Sequence, residues 1–394
     1  MTYALISLPF LAAAVLAAVL LLRRTRPADR RWHWTAVGLA LIALLLLTVV
    51  FDTLMIGLDL FSYAESQITG LRLGLAPVED FAYPVAVGLA LPALWVALTR
   101  RGDLSMSALL REAFIASRPV SWINTAFPFG AAMILTTREV DWLLVVGVVY
   151  YLVPYNLAMY GINDVYDYAS DINNPRKGGI EGGLLPPAYH RPLLWLVAAT
   201  NVPFLVVLVA AGGPVAWIAI AVSTFAVIAY SAPGLRFKER PVLDSLTSSM
   251  HFVSPAVVGL ALAGAGASAG TVLTMVAFFL WGMAAHAFGA VQDIVPDRSA
   301  GIGSIATAFG ARRTVVFALV LWAGAGVVML FTPWPGPWAA FIPLLYIANC
   351  ASSVAVTDAT SARTNAAWRR FIWLNYAAGF LVTLILILLW TLTS

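Results

Sequence analysis

Three aspartates at the end of an apolar segment have a spacing that suits a metal site. Asp164, Asp167 and Asp171 stand at i, i+3 and i+7 in NDVYDYASD, so a continuous α-helix would place them on one face. Carboxylates this close repel one another unless a cation lies between them, and Mg²⁺ prefers carboxylate and phosphate oxygens. The alternative is a solvated helix end, but ionisable residues that continue a membrane span are functional by default. The cluster therefore predicts a Mg²⁺ site at the membrane border.

A second acidic pair lies about 130 residues further along the chain. Asp293 and Asp297 are four residues apart, again on one helical face, and Pro296 and Gly301 mark the expected end of that helix. Two aspartate clusters on separate helices can hold Mg²⁺ ions around a diphosphate, which neutralises the leaving group as a C–O bond ionises. Alone, the Asp-x-x-x-Asp spacing is a weak signal; paired with the first cluster on the same side of the membrane, it predicts a diphosphate site.

Basic residues in the neighbouring loops could bind the phosphate oxygens of such a substrate. Arginine and lysine form charge-assisted hydrogen bonds with phosphate. Arg118 has an alternative role as a positive anchor at the membrane surface. The predicted diphosphate contacts are Arg118, Arg176, Lys177, Arg236, Lys238 and Arg298.

Two uncharged polar residues complete the candidate site. Tyr230 ends an apolar segment before the loop SAPGLRFKERP; tyrosine at this depth is usually an interfacial anchor. Its functional alternative is a phenol or π-face that stabilises an allylic cation or contacts the diphosphate. Asn124, expected about two turns inside its helix, needs a polar partner in the membrane, which favours a role in the site.

The composition requires a membrane around these residues. The chain is 61% hydrophobic and 11% charged, with a mean hydropathy of +0.88, which excludes a water-soluble domain. A spanning helix needs about 20 mostly apolar residues. The first apolar segment is expected to be retained rather than cleaved as a signal peptide, because its arginines follow it. Twelve segments qualify, centred near residues 12, 43, 90, 127, 152, 202, 223, 255, 281, 323, 347 and 381.

The positive charges predict an orientation in the cell membrane. An arginine cluster at 23–31 follows the first segment, so that loop should be cytoplasmic. If successive loops alternate between the two sides of the membrane, only Arg72 and Arg138 of the 23 Lys and Arg residues lie outside. The same alternation makes both acidic clusters cytoplasmic and both termini external. The basic balance follows from this bias and predicts no nucleic-acid partner. Cys350 is the only cysteine and lies in an apolar span, which excludes an intrachain disulfide and a cysteine metal site.

A polar stretch divides the chain. Residues 99–118 interrupt the apolar pattern and are predicted to be an interfacial amphipathic linker. It separates a three-helix part, residues 1–98, from a nine-helix part, residues 119–394. The expected fold is an all-α integral membrane protein with a three-helix N-terminal bundle followed by a nine-helix bundle.

The larger part resembles the UbiA superfamily of intramembrane prenyltransferases. The resemblance rests on NDxxDxxxD at 163–171 with the following NPRK, on YSxP at 230–233, and on DxxxD at 293–297 followed by DRSAG. It covers residues from about 110 to 394. It implies Mg²⁺-diphosphate binding and transfer of a prenyl cation to a lipophilic acceptor, with Asn163 orienting the ligands and Lys177 contacting phosphate. The implied metal ligands are Asp164, Asp167, Asp171, Asp293 and Asp297.

The N-terminal part resembles the lycopene cyclase domain of the bacterial heterodimeric type. FDTLMIGLDLFSY and GLAPVEDFAYP carry the likeness, with Pro77, Glu79 and Asp80 at its acidic motif. Cyclisation begins by protonation of an alkene, and a partly desolvated carboxylic acid can donate that proton. The alternative is that the two acids cap the positive end of a helix. Such domains occur in pairs, which implies a second cyclase-domain subunit.

The fusion indicates a carotene acceptor. The resemblance then narrows to lycopene elongases, which add dimethylallyl from its diphosphate to the ends of lycopene. A UbiA-type enzyme with an aromatic or quinone-precursor acceptor is the nearest alternative. An ion-coupled transporter is another, but its acids would lie near the membrane midplane with inverted repeats. A third alternative is a cyclase subunit whose larger part is a scaffold, against which the intact aspartate motifs argue.

Overall fold

The computed structural model describes residues 2–22, 27–98, 106–168, 172 and 184–393. Asp171, Arg176 and Lys177 of the predicted site lie outside these residues, so their roles stay predictions. The described part is almost entirely helical, and the all-α membrane class is confirmed.

The N-terminal unit contains three helices: α1 (Thr2–Leu22), α2 (Pro27–Gly57) and α3 (Ala82–Leu98). Helix α3 packs against α1 and α2. Between α2 and α3 lies an antiparallel hairpin, β1 (Arg72–Leu73) and β2 (Ala76–Pro77), followed by a 3-10 turn, Val78–Phe81. Gly74 makes the hairpin turn with φ +66° against the side chain of Thr53, a position that a Cβ atom would not tolerate.

The chain divides within its next helix, α4 (Met106–Ala116). One compact unit is Met1–Arg111 and the other is Glu112–Ser394. This division lies inside the stretch predicted to be a linker, residues 99–118, although its second half is a helix whose Glu112 and Ala116 are buried. The predicted bounds themselves stay predictions.

The C-terminal unit is a bundle of long apolar helices with two short helices at one bend. Helix α10 packs against α5, α9 and α11, and α11 in turn packs against α14. Gly259 on α10 allows its close approach to α5, because a Cβ there would lie 2.8 Å from the carbonyl oxygen of Phe129. The helices are α5 (Ile123–Thr137), α6 (Trp142–Leu152), α7 (Pro154–Tyr166), α8 (His190–Ala211), α9 (Pro214–Ser231), α10 (Leu243–Leu262), α11 (Ala269–Val291), α12 (Ile294–Ser299), α13 (Ile305–Phe309), α14 (Ala311–Met329), α15 (Ile342–Cys350) and α16 (Asn365–Leu392).

A second core region lies where α11, α14, α15 and α16 meet. Trp322 is fully buried there, stacked on Tyr346 with ring centroids 5.6 Å apart, and Phe371 lies 6.0 Å from it. Aromatic rings of this size fill a wide space between helices. This packing fixes the C-terminal helices behind the segment that carries the second acidic pair.

All twelve predicted centres lie in helices, but some helices differ from the prediction. The segment centred near 152 is broken between α6 and α7, where Pro154 begins the new helix. In the described residues ten segments are long and apolar enough to cross a membrane, and α6 with α7 counts as one of them. Helices α3 and α5, with 17 and 15 residues, are shorter than a full span.

Candidate active site

The first acidic cluster lies at the end of α7. Asp164 is in its last turn, whereas Asp167 follows the last helical residue, Tyr166. The backbone N–H of Asp167 still donates to the carbonyl of Asn163 at 2.9 Å. The prediction of one uninterrupted helical face through Asp167 is therefore wrong for the described residues. The two carboxylates also have different cationic partners, Arg118 for Asp164 and Lys238 for Asp167.

Asp164 is paired with Arg118. Its side chain is inaccessible to solvent, and the Arg118 guanidinium donates to it at 2.9 Å. The guanidinium also lies 4.2 Å from the ring centroid of Tyr160, a cation–π contact. Arg118 adopts φ +50°, a left-handed conformation that costs a non-glycine residue energy and so requires support from such contacts. Arg118 thus fixes α7 to the beginning of α5.

Asp167 and Asn163 are held by the loop that follows α9. The Lys238 ammonium donates to Asp167, and a nitrogen of the Arg236 guanidinium lies 3.7 Å from the same carboxylate. The amide oxygen of Asn163 accepts from the hydroxyl of Ser231 at 3.0 Å and from Lys238 at 3.4 Å. The predicted phosphate-binding loop therefore lies directly against the first acidic motif.

Lys238 connects the two acidic motifs electrostatically. Burial lowers the pKa of Lys238 to about 8, while the negative charge of Glu239 opposes that shift. Asp164 and Asp297 oppose it as well, so carboxylates of both motifs lie close enough to act on one ammonium group. Acids more than a hundred residues apart in sequence therefore lie within electrostatic range of this lysine.

The second acidic pair lies at a helix break. Helix α11 ends at Val291, Asp293 precedes α12, and the backbone N–H of Asp297 donates to the Asp293 carbonyl at 2.9 Å. The spacing therefore forms the single helical turn that was expected. Both side chains are half-buried. Pro296, predicted to end the helix, instead lies near the start of α12, where a proline costs no intrahelical hydrogen bond.

Arg298 contacts protein groups on the far side of α12. Its guanidinium donates to Asp358 at 2.7 Å and to the carbonyl of Thr307 at 2.8 Å. Asp358 also accepts from the backbone N–H of Ala311 at 2.7 Å. These contacts anchor α12 to its surroundings, and a phosphate contact by Arg298 stays a prediction.

The two uncharged residues fare differently. Asn124 is the second residue of α5 and is half-buried. The prediction that it lies two turns inside the helix is wrong, because the segment before it forms a 3-10 turn, Pro119–Ser121.

Tyr230 lies within electrostatic range of Arg118 and Asp297. Its ring makes an edge contact with His251, with centroids 5.0 Å apart. Tyr230 thus lies among polar groups of the bundle rather than at a lipid surface.

Asp244 is a structural residue of the site that the sequence reasoning missed. It is fully buried in the first turn of α10 and accepts the backbone N–H of Ile305 at 2.7 Å. A ring nitrogen of His286 lies 3.6 Å away. A carboxylate opening an apolar helix was the available signal. Asp244 holds the segment that follows Asp297.

The donor chemistry of the site fits Mg²⁺. Four described aspartates, two from each motif, supply the hard oxygen ligands that Mg²⁺ prefers. Within the described ranges no three acidic, histidine or cysteine side chains converge closely enough to form a metal site by themselves. Because Mg²⁺ retains water and shares ligands with substrate phosphates, such a site does not require three protein side chains that converge on one ion.

The acids of the N-terminal unit are bound differently. Glu79 is buried and accepts the backbone N–H of Thr69 at 2.5 Å. Burial raises the pKa of Glu79, but the hydrogen bonds from the backbone N–H groups of Thr69 and of Glu79 itself outweigh it and lower that pKa. Glu79 is therefore held as a carboxylate, which is unfavourable for a proton donor.

Asp80 has partners that suit proton transfer better. The hydroxyl of Tyr63 donates to it at 2.7 Å. Burial and this hydrogen bond raise the pKa of Tyr63, so the phenol stays protonated, and Asp52 of α2 acts on the same phenol. Two carboxyl groups near one another favour sharing a proton. Asp52 was not singled out from the sequence, although FDTLMIG places it in an apolar segment.

Comparison with known proteins decides the family. Residues 125–392 match the UbiA prenyltransferase family, and residues 1–98 match the lycopene cyclase family. The chain belongs to the UbiA prenyltransferase family. The family resemblance that rested on the acidic motifs is confirmed, and so is the prediction of a multi-pass membrane protein. The UbiA region follows an N-terminal lycopene cyclase domain.

Two relatives share nearly half of their residues with this UbiA protein. One, from Dietzia sp. (strain CQ4), is named C(50) beta-cyclic carotenoids biosynthesis protein LbtBC and is 48% identical over 424 residues, covering 98% of this chain and 97% of its own. The other, from Corynebacterium glutamicum, is named Lycopene elongase/hydratase and is 48% identical over 283 residues, covering 72% of this chain and 98% of its own. A solved structure of digeranylgeranylglyceryl phosphate synthase matches 71% of this chain and 98% of the synthase chain. Its TM-score of 0.52 at 14% identity shows a shared fold.

Proposed function

We propose that this protein is a lycopene elongase that transfers dimethylallyl from its diphosphate to the ends of lycopene and so yields C45 and C50 carotenoids. The observation that carries the proposal is the ion pair of Lys238 with Asp167 of the first motif, together with the electrostatic interaction of Lys238 with Asp297 of the second. The names of two relatives at 48% identity support the carotene acceptor. An aromatic or quinone-precursor acceptor is the alternative that the experiment below tests.

The acids and cations of the site have complementary roles in this proposal. Asp164, Asp167, Asp293 and Asp297 would hold Mg²⁺, which supplies positive charge to the departing diphosphate. Asp171, Arg176 and Lys177 belong to the same set by sequence. Arg118 and Lys238 form ion pairs with the buried aspartates and, with Arg236, would bind phosphate oxygens. The acids thus remain charged at a membrane border.

In the proposed reaction the carotene meets the allylic cation in an apolar space beyond the diphosphate. The C–O bond of the allylic diphosphate breaks, and the terminal double bond of the carotene supplies the electron pair of the new C–C bond. The resulting tertiary cation loses a proton, takes water or cyclises. Tyr230 lies within electrostatic range of Arg118 and Asp297 and could stabilise the allylic cation with its ring. Burial of these groups excludes bulk water from the cation.

The N-terminal unit would contribute to end-group cyclisation. Asp80, hydrogen-bonded to Tyr63 at 2.7 Å, is the better proton donor, and Glu79 would position it. A second cyclase-domain subunit would complete this activity. In the cell membrane, the positive charges support cytoplasmic active-site loops and external termini.

The test combines a buried acid with a matched control. Asp164→Asn and Asp164→Ala should lower diphosphate release by about a thousandfold, because electrostatic stabilisation of the departing group is lost. Glu139→Gln, an exposed acid of the same unit, should have the activity of the unchanged protein. The measurements are Mg²⁺-dependent diphosphate release and pigment mass analysis in lycopene-accumulating cells.

The outcomes separate the alternatives. C45 and C50 products that survive in properly inserted Asp164 variants would exclude this metal assignment. Diphosphate release by the unchanged protein without any carotene product, but with prenylated aromatic or quinone products, would identify the alternative acceptor. Absence of Mg²⁺-dependent diphosphate release altogether would reject the enzyme and favour an ion-coupled transporter.

A further inference from the structure

A buried histidine lies beside Tyr230 with one ring nitrogen unsatisfied. His251 of α10 is 3% exposed, and its Nε2 has no hydrogen-bond partner among the described residues. The ring hydrogen-bonds the carbonyl of Ala226 on α9. Since Nε2 has no partner, this bond belongs to Nδ1, which must be the protonated nitrogen of the neutral ring. Nε2 then carries a lone pair directed into the interior of the bundle.

Hydroxyl groups surround His251 but do not satisfy this nitrogen. Tyr155 donates to the backbone carbonyl of His251 at 3.2 Å, and Ser223 and Ser254 bond one another at 2.7 Å. A buried polar atom without a partner loses its hydrogen bonds to water and gains none in return, so it is rarely kept without a reason. The neighbouring His286, by contrast, has its Nε2 3.6 Å from the Asp244 carboxylate.

The depth of His251 suits the carbon end of the donor rather than its phosphates. His251 follows Asp244 by seven residues on α10, which corresponds to roughly 10 Å along the helix axis. Its ring lies against Tyr230, which interacts with Arg118 and Asp297 of the diphosphate site. The imidazole is therefore deeper than the charged groups and next to the aromatic ring that borders them.

We propose that Nε2 of His251 accepts the proton that the carotenoid cation loses after the new C–C bond has formed. This inference rests on the proposed function. Addition of the allylic carbon to the terminal alkene leaves a tertiary cation. A C–H bond next to that cation breaks, its electron pair becomes a new C=C bond, and the proton moves to Nε2 to give an imidazolium. That proton later passes to the departing diphosphate or to water, which restores the neutral ring.

The test removes the lone pair of His251 Nε2 and keeps the hydrogen bond to the carbonyl of Ala226. In His251→Asn, the side-chain N–H can still donate to Ala226, but no basic nitrogen remains. Diphosphate release should continue within a few fold, whereas the deprotonated alkene product should fall by about a hundredfold per diphosphate released. Hydroxylated carotenoid should rise in its place. Ser254→Ala, which alters the adjacent hydroxyl pair without touching Nε2, should keep the alkene as the main product.

Several results would overturn the proposal. One is an alkene-to-alcohol ratio in His251→Asn equal to that of the unchanged protein. Another is an unchanged protein that makes only hydroxylated product. If His251→Asn and His251→Gln both insert but release no diphosphate, the ring acts before proton transfer and the proposal is wrong. The unchanged protein distinguishes the two levels: if it shows no Mg²⁺-dependent diphosphate release, the proposed function fails, whereas any of the results above in a protein that does release diphosphate overturns this inference alone.

Discussion

The acids of the two units have different partners, although both lie next to apolar helices. In the C-terminal unit, Asp164 is paired with Arg118 and Asp167 with Lys238. In the N-terminal unit, Asp80 accepts from the Tyr63 phenol and Glu79 from a backbone N–H group. A cationic partner keeps a carboxylate charged, as metal and diphosphate binding requires. A neighbouring carboxyl group, as Asp52 is to Asp80, instead favours a shared proton, whereas Glu79 is held as a carboxylate.

This contrast explains how one chain could carry two kinds of carbocation chemistry. Ionisation of a diphosphate creates a cation by loss of an anion, so the site needs positive charge near the phosphate. Protonation of an alkene creates a cation by gain of a proton, so the site needs an acid. The partners of the carboxylates, rather than their number, differ between the two units.

Among the substitutions that test this contrast, loss of the Asp80 acid should have the largest effect, which is on cyclisation of the end groups. Asp80→Asn removes the acid but keeps a similar shape, and cyclised end groups should fall by about a hundredfold or more, with linear elongation unchanged. Pigment analysis in lycopene-producing cells, with and without a second cyclase-domain subunit, measures both. Glu65→Gln, an exposed acid of the same unit, is the control. If Glu79→Gln abolishes cyclisation and Asp80→Asn does not, the acid is Glu79.

A smaller effect is expected from substitution of Lys238, the cation that interacts with aspartates of both motifs. Lys238→Met removes charge-assisted hydrogen bonds of about 1.5–3 kcal/mol, which corresponds to a tenfold to hundredfold increase in KM for the allylic diphosphate. Lys238→Arg keeps the charge and should be affected less, although its geometry differs. Steady-state kinetics of diphosphate release give the values. An unchanged KM in Lys238→Met would separate this lysine from substrate binding.

The smallest effect should follow loss of the Arg298–Asp358 pair. Both side chains are partly exposed, so Arg298→Gln and Asp358→Asn should each slow elongation by only about twofold to threefold, through looser anchoring of α12. Equal rates in the two variants would fit a structural anchor. A tenfold loss in Arg298→Gln alone would instead restore the prediction that Arg298 contacts phosphate.

Sequence reasoning succeeded where the signal is local. The segments centred near 127 and 281 are helices because their apolar residues are contiguous, and the spacing of Asp293 and Asp297 corresponds to one helical turn. It failed at Asp167, where the helix ends, and at Asn124, whose depth depends on where α5 begins. Helix ends are set by contacts with other parts of the chain as well as by local sequence.

Long-range pairs were beyond sequence reasoning for a different reason. Arg118 and Asp164 are 46 residues apart and Lys238 and Asp167 are 71 apart, so no periodicity records their contact. The same holds for Asp244, which binds Ile305, and for His251 beside Tyr230. Each residue type is visible in the sequence, but its partner is not.

The sequence alone determined that this protein lies in a membrane, because burying so many apolar side chains in water-free surroundings is the dominant favourable term. It also determined which acids can act together within one helical turn. The tertiary structure decided which cation, phenol or backbone amide meets each acid, because a hydrogen bond requires two groups within about 3 Å and only packed helices bring distant residues that close. That choice of partner separates the aspartates of the C-terminal unit, which are paired with cations, from the acids of the N-terminal unit, which accept from a phenol and a backbone amide.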